Sequence, residues 1–311
     1  MDIHNLEQIK QEFSGFQKEF ETGNKEKALE KLLELLDALE EADTSRRAAQ
    51  IDKDGNVTLS SEIPAGKPAA EKSAEDGTGE SQPLYMSLNH VMEYYIFAYY
   101  FQPATEVRCT DIPYGEYYRT YGQLALSMQK YNGAKKAYER AIAWNPVDLD
   151  AYLGLAEVYK YQNQREKYLT VTKQAYRYCC TRATMARYYR NMAFYYLSGY
   201  EPETARACYQ YSNVYYHTEN ADSELKYISE AIQQETPQTD IRAIQKLFDE
   251  KQIEPGPDSQ TIGIVYKVGE ILLKDGDYKL AKDCYSIVYD ITQDASAEKL
   301  LNELEAAIAG N

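Results

Sequence analysis

Residues 115–146 read GEYYRTYGQLALSMQKYNGAKKAYERAIAWNP, and this stretch decides the fold. Two helical patterns flank the turn signal Tyr131-Asn132-Gly133, and each repeats small and apolar residues at intervals of three and four. These residues are Tyr118, Tyr121, Gly122 and Ala125 before the turn, and Ala134, Tyr138, Ala141 and Ile142 after it. Because one helix cannot bury its apolar face alone, we expect the two helices to pair and then to pack against further pairs.

The same pattern recurs along the chain. Gly122 marks the first unit, and Ala156 takes the equivalent position 34 residues later. Ala193 and Gly269 mark two further units with similar tyrosine and aliphatic neighbours. The pattern Tyr-x2-Tyr-Gly-x2-Ala, followed by Ala-x3-Tyr and a proline, resembles the tetratricopeptide repeat. The resemblance covers about residues 115–308 and implies an all-α fold, a right-handed superhelical solenoid of helix-turn-helix repeats, here preceded by an N-terminal helical hairpin.

Composition and apolar spacing divide the chain into segments. We predict an N-terminal helical hairpin at 1–43, a largely disordered acidic and polar linker at 44–83, a capping helix and loop at 84–114, three tetratricopeptide-like repeats at 115–216, a degenerate helical repeat at 217–257, and a C-terminal repeat with its capping helix at 258–311.

The N-terminal hairpin, residues 50–57 and the segment from residue 65 to residue 101 each have a more specific prediction. The N-terminal hairpin fits either a divergent repeat or a simple helical cap. Residues 50–57, QIDKDGNV, loosely resemble a calcium loop, but an Asp-Gly turn in a small hairpin is favoured because ligand positions at both ends are missing. Leu84 to Phe101 is predicted to be one strongly amphipathic helix with a thin polar side, which seals the front of the array. Residues 65–82 are predicted to be disordered.

Charge and composition exclude several classes of partner. The net charge of −15 disfavours bulk binding to DNA or to an anionic membrane. Residues 84–216 nevertheless carry 15 basic and 11 acidic side chains, so the middle of the chain is mildly basic. The 31 tyrosines suit the slots between packed helices, because the ring is apolar and the hydroxyl can reach polar groups.

No pattern of residues points to catalysis or to a cofactor. The three histidines, His4, His90 and His217, lie in different segments and lack partners at metal-ligand spacing. The five cysteines form no disulfide framework and indicate a reducing compartment, for which the cytoplasm is the default. No secretory leader or membrane span is expected. We therefore predict a non-enzymatic protein without metal or cofactor.

The resemblance implies that the first helix of each unit lines a concave groove. We predict that this groove contains Arg119, Gln123, Lys160, Arg187, Arg190, Asn191 and Phe194. Some members of the family clamp a partner's C-terminal carboxylate with basic and amide side chains from three consecutive units. Arg119, Gln123, Arg187 and Asn191 occupy clamp-like positions, whereas Gly154 replaces the side chain expected from the second unit.

The leading functional interpretation is a scaffold that binds a protein or peptide partner, with an acidic or C-terminal segment extended along the basic groove. A peptide-responsive bacterial regulator is the alternative, because some regulators join an N-terminal helical segment to such repeats. Single-stranded RNA binding on stacked tyrosines is a second alternative. No helix with a basic DNA-reading face is visible. The sequence identifies neither the partner nor the oligomeric state.

Overall fold

The structure is a computed structural model that describes residues 6–42, 46–54, 56–59 and 83–309. The segment in which disorder is predicted, residues 65–82, lies outside these ranges. The described residues form fourteen helices. They are α1 (Leu6–Glu21), α2 (Lys25–Ala42), α3 (Val91–Phe101), α4 (Tyr114–Ser127), α5 (Tyr131–Trp144), α6 (Leu149–Tyr161), α7 (Arg165–Tyr176), α8 (Arg182–Ser198), α9 (Pro202–Tyr215), α10 (Glu219–Ile232), α11 (Ile241–Lys251), α12 (Ser259–Lys274), α13 (Tyr278–Thr292) and α14 (Ala295–Ala309).

Five short strands accompany the helices, and the sequence predicted few of them. They are β1 (Arg46–Arg47), β2 (Ala49–Ile51), β3 (Val57–Leu59), β4 (Leu84–Met86) and β5 (Val107–Cys109). Strand β4 pairs in parallel with both β1 and β5. The helix predicted from Leu84 therefore begins only at Val91, because residues 84–86 are drawn into pairing with strands distant in the sequence. The small hairpin is confirmed, since β2 and β3 pair antiparallel and Asp52 accepts two backbone N–H groups of the turn.

The chain forms two compact units, residues 1–164 and residues 165–311. In the first unit α1 packs on α2, α4 on α5, and α6 on both α4 and α5. In the second unit α8 packs on α9, α12 on α13, α13 on α14, and α7 on α8. The all-α fold of paired helices is thus confirmed. The predicted degenerate repeat contains two helices, α10 and α11, and each of them packs on α9.

Five helix–helix turns share one backbone geometry. A residue with positive φ stands two positions before the second helix: Gly23 at 81°, Gln129 at 58°, Asn163 at 54°, Tyr200 at 61° and Gly276 at 83°. The next residue in each turn donates its N–H to the carbonyl five residues back, at 2.8–3.1 Å. This bond closes the preceding helix with a left-handed cap. The hairpin α1–α2 therefore has the same turn as the repeats.

Small residues at the predicted repeat positions allow close approach of paired helices. A Cβ built on Gly122 would lie 2.9 Å from the ring of Tyr138, and one on Gly269 would lie 3.0 Å from the ring of Tyr285. Ala156 and Ala193, the equivalent residues of the two intervening units, are fully buried. In each of the two glycine-containing pairs, a tyrosine of the second helix thus fills the space that a glycine leaves on the first helix. This tyrosine stands four positions after the small residue of the second helix.

Candidate functional site

The predicted groove residues are divided between the two units. Arg119, Gln123 and Lys160 lie in the first unit, on α4 and α6. Arg187, Arg190, Asn191 and Phe194 lie in the second unit, all on α8. Spacings of three and four along α8 place these four side chains on one face of that helix. We describe the two groups separately.

In the first unit, Arg119 is held in an internal polar network rather than presented to solvent. Its Nη1 donates to Oδ1 of Asp148 at 2.8 Å, and its Nη2 donates to Oδ1 of Asn89 at 2.9 Å. Asn89 Nδ2 continues the network to Glu93 at 3.0 Å, and Asn145 Nδ2 reaches the same carboxylate at 2.7 Å. Both terminal nitrogens of Arg119 are therefore already bonded, and we leave this residue out of the proposed site.

The other two predicted residues of the first unit lie on α4 and α6. Gln123 is exposed on α4. Lys160 is half-buried, and its Nζ lies 3.9 Å from the carboxylate of Glu157 on the same helix.

Asp148 is the buried carboxylate of this network. It is 1% exposed, its Oδ1 also caps α6 by accepting from the N–H of Ala151, and its Oδ2 has no hydrogen-bond partner among the described residues. Burial raises the pKa of Asp148 to about 6, although the charge of Arg119 opposes the rise. The native state therefore binds this proton more tightly than the unfolded chain does.

We expect this raised pKa to make the protein less stable as pH rises from about 4, the unfolded value, to about 6, by at most about 3 kcal/mol. Above pH 6 the full loss of stability is reached, and below pH 4 there is no loss. Asp148→Asn keeps the helix cap but has no titratable carboxyl group. The stability of this variant should therefore not fall between pH 4 and pH 6. Urea unfolding between pH 4 and pH 7 measures the stability of both proteins.

The control is Asp150→Asn, which removes an exposed carboxylate 3.9 Å from Arg119. A wild-type slope in Asp148→Asn would contradict the assignment.

In the second unit, two half-buried arginines on α8 lie close to each other without a compensating carboxylate. Among the described residues, no acidic side chain lies within 4.0 Å of the guanidinium of Arg187 or Arg190. Burial lowers the pKa of Arg190, and the charge of Arg187 lowers it further. Arg190 Nη1 donates at 3.3 Å to the backbone carbonyl of Tyr216. In a chain of net charge −15, this pair is an uncompensated positive site that an anion would stabilise.

A buried amide lies on the same face of α8. Asn191 is 6% exposed, and its Nδ2 has no hydrogen-bond acceptor among the described residues. A buried N–H donor without a partner is costly, so native proteins normally satisfy such groups with protein, water or ligand. An acceptor brought by a ligand to this face of α8, which also carries Arg187 and Arg190, would satisfy the donor.

Aromatic side chains border this site. Tyr168 is buried, and its hydroxyl donates to the backbone carbonyl of Asn191 at 3.0 Å. Its ring meets Phe194 edge to face, with centroids 5.4 Å apart. Phe194 is half-buried and offers part of its ring as apolar surface. Local spacing in the sequence does not link Tyr168 to this face of α8, because the residue that its hydroxyl contacts is 23 residues away.

Within the described ranges, no group of three or more His, Cys, Asp or Glu side chains could hold a metal ion. In the same part of the chain, no helix combines the length and hydropathy needed to cross a bilayer.

Comparison with known proteins gives structural neighbours only. No family model matches the sequence, and no curated protein is significantly similar to it. Solved structures that are similar include the APC/C hetero-tetramer Cut9-Hcn1, PilF of Pseudomonas aeruginosa, and YrrB, described as a TPR protein with an unusual peptide-binding site. Their identities are 14%, 15% and 14% over 63%, 63% and 61% of this chain, with TM-scores of 0.36, 0.35 and 0.32. The match spans 38% of the Cut9-Hcn1 chain, 85% of PilF and 91% of YrrB.

The helix pairs of this chain, the geometry shared by their turns and the 34-residue spacing of Gly122 and Ala156 define its class. It is an all-α helical-repeat protein with tetratricopeptide-like units.

Proposed function

We propose that this protein is a non-enzymatic scaffold that binds an acidic, extended segment of a protein partner on the face of α8 formed by Arg187, Arg190, Asn191 and Phe194. We name these four residues the α8 site. The observation that carries the proposal is a pair of uncompensated arginines beside a buried, unpartnered amide donor. Carboxylates accept hydrogen bonds from guanidinium and amide groups, and charge-assisted bonds of this kind are the stronger ones.

The acidic character of the proposed partner follows from the charges of the site. The positive charges of Arg187 and Arg190 repel each other, which lowers the pKa of Arg190, so a carboxylate placed between them gains attraction from both. The exposed part of Phe194 supplies apolar contact for a side chain next to the carboxylate. The site thus favours a segment in which acidic and apolar residues are close together.

The buried tyrosines of this chain serve the core and are not available for RNA stacking. Half of the twelve largest fully buried side chains in the described residues are tyrosines: Tyr138, Tyr152, Tyr159, Tyr168, Tyr189 and Tyr285. A buried ring cannot stack on a base, so these residues serve the core. The five free thiols, three of them buried, fit a reducing compartment, which we propose to be the cytoplasm.

We expect a fluorescein-labelled octapeptide of alternating glutamate and leucine to bind the full-length protein at least tenfold more tightly than the same peptide with glutamine in place of glutamate. The reason is that only the carboxylates engage the two arginines. Fluorescence anisotropy at two ionic strengths measures both affinities, and salt should weaken the acidic peptide selectively. Equal binding of the two peptides would contradict the proposed function.

A further inference from the structure

One segment of the second unit lies on α8 and α9 in the manner of a bound peptide. This segment, residues 237–255, contains α11 and parts of two connections without helix or strand. Its backbone carbonyls accept hydrogen bonds from side chains of α8 and α9. Gln210 Nε2 donates to Pro237 at 2.7 Å, Tyr189 to Glu254 at 2.8 Å, Tyr211 to Pro255 at 2.6 Å and Tyr196 to Lys251 at 3.5 Å.

An aromatic anchor secures the same segment. Phe248 is completely buried, with its ring stacked on Tyr189 at 5.6 Å and edge to face with Tyr211 at 5.1 Å. Two further apolar side chains, Ile244 and Ile253, are 4% and 2% exposed. The opposite face of α11 is polar and exposed. This combination of one apolar face with a central aromatic is typical of a partner helix that docks into a groove.

Helix α11 has one main helix neighbour in its unit. Among the described residues, its extensive helix contacts are with α9. Its neighbours along the chain have their own partners, since α10 packs on α9 and α12 packs on α13. A cleft of about 670 Å³ also remains beside the segment, lined by Lys173, Tyr176 and Tyr188 on one side and by Glu254 and Pro257 on the other. Segments with few contacts open locally at lower free energy than the elements beneath them.

We propose that the groove of α8 and α9 lined by Tyr189, Tyr196, Gln210 and Tyr211 is an interaction surface for an amphipathic helix with an aromatic anchor. Helix α11 with its two flanks is the internal occupant. A partner helix with the spacing of Ile244 and Phe248, and with an apolar residue in its C-terminal flank at the position of Ile253, displaces it. Tyr189 stands two residues from Arg187 and so faces the other side of α8. This surface is therefore independent of the α8 site and of the proposed function.

The pattern of contacts also specifies the partner. Lys251 forms an ion pair with Glu201 and lies 5.9 Å from the ring centroid of Tyr196. A competing helix therefore needs an aromatic residue followed three positions later by a lysine or arginine. It also needs a non-helical C-terminal flank whose carbonyls can accept from Tyr189 and Tyr211.

A competition experiment on the full-length protein tests this inference. The probe is a labelled synthetic peptide with the sequence of residues 237–255. Phe248→Ala in the protein weakens the internal occupant, so this variant should bind the peptide at least tenfold more tightly than the wild type does. Asp249→Ala, on the exposed face of α11, is the matched control and should bind as the wild type. A peptide carrying Phe248→Ala should not bind. Equal affinity of the wild type and the Phe248→Ala protein would overturn the inference.

Hydrogen exchange on the unmodified protein keeps the inference testable if Phe248→Ala does not fold. Amides of α11 should exchange at least tenfold faster than those of α8 and α9, because α11 opens locally. Exchange of α11 only together with α8 and α9 would overturn the inference.

Size-exclusion chromatography tests whether a second copy of this chain occupies the groove. A concentration-dependent dimer that disappears on deletion of α11 would assign the groove to a second copy of this chain and overturn the partner-helix assignment.

Discussion

Replacing Gly154 by alanine is expected to lower the free energy of unfolding by about 3 kcal/mol, the upper range for overpacking a core. A Cβ at this position on α6 would overlap Cε1 and Cζ of Tyr138 on α5. Tyr138 is 2% exposed, and the other side of its ring meets Gly122 of α4 at 2.9 Å from a built Cβ. The ring is thus enclosed between two glycines and cannot move away without opening the α4–α5 pair.

Gly263 supplies the matched control for this substitution. It also lies inside a helix, α12, but no heavy atom outside its own local backbone lies within 4 Å of a Cβ built there. Gly263→Ala should therefore raise stability by up to about 1 kcal/mol, the difference in helix propensity. Urea unfolding followed by circular dichroism compares both variants with the wild type. An unchanged midpoint for Gly154→Ala would show that Gly154 does not fix the packing of Tyr138.

Reversing both charges of the α8 site is expected to weaken binding of the acidic octapeptide about 100-fold. Two charge-assisted contacts are lost, and each is worth about 1.5 kcal/mol or more, which corresponds to roughly tenfold in affinity. The variant is Arg187→Glu combined with Arg190→Glu. Since both side chains are only half-buried, the fold should persist, and a wild-type circular dichroism spectrum checks this.

The control for the charge reversal carries the same change in net charge at a distance from the α8 site. Lys226→Glu combined with Lys279→Glu alters two exposed lysines on α10 and α13. This control should lose no more than about twofold in affinity, because separated surface charges are largely screened. If control and variant weaken binding equally, the effect comes from net charge and the α8 site is wrong.

The repeating helices were predictable from the sequence because their signal is local. Gly122 and Gly269 each face a tyrosine of the paired helix, and the spacing of small and aromatic residues is sufficient to predict that contact. The strands outside the β2–β3 hairpin were not predictable. Residues 84–86 are too short a run to distinguish strand from helix, and their partners, β1 and β5, lie far along the sequence.

The role of a candidate residue could be predicted from the sequence only where it does not depend on a partner that is distant along the chain. The four residues of the α8 site share one helix, so their common face follows from spacing alone. Arg119 has the same spacing signal on α4, but its charge is satisfied by Asp148 in the loop before α6. Gly154 seemed to be a missing ligand side chain, whereas its lack of a Cβ makes room for Tyr138. Local periodicity predicts neither the contact of Arg119 with Asp148 nor the contact of Gly154 with Tyr138.

The side-chain amide of Asn191 provides the most direct test of the central claim, that the α8 site binds an acidic segment. Its buried Nδ2 has no acceptor among the described residues, so a bound carboxylate should move its NMR resonances strongly. The measurement is a titration of the 15N-labelled, full-length protein with the glutamate–leucine octapeptide. The account predicts large shifts of the Asn191 side-chain amide, while the exposed amide of Asn302 on α14 stays unchanged. Saturable peptide binding that leaves the Asn191 resonances unmoved would contradict it.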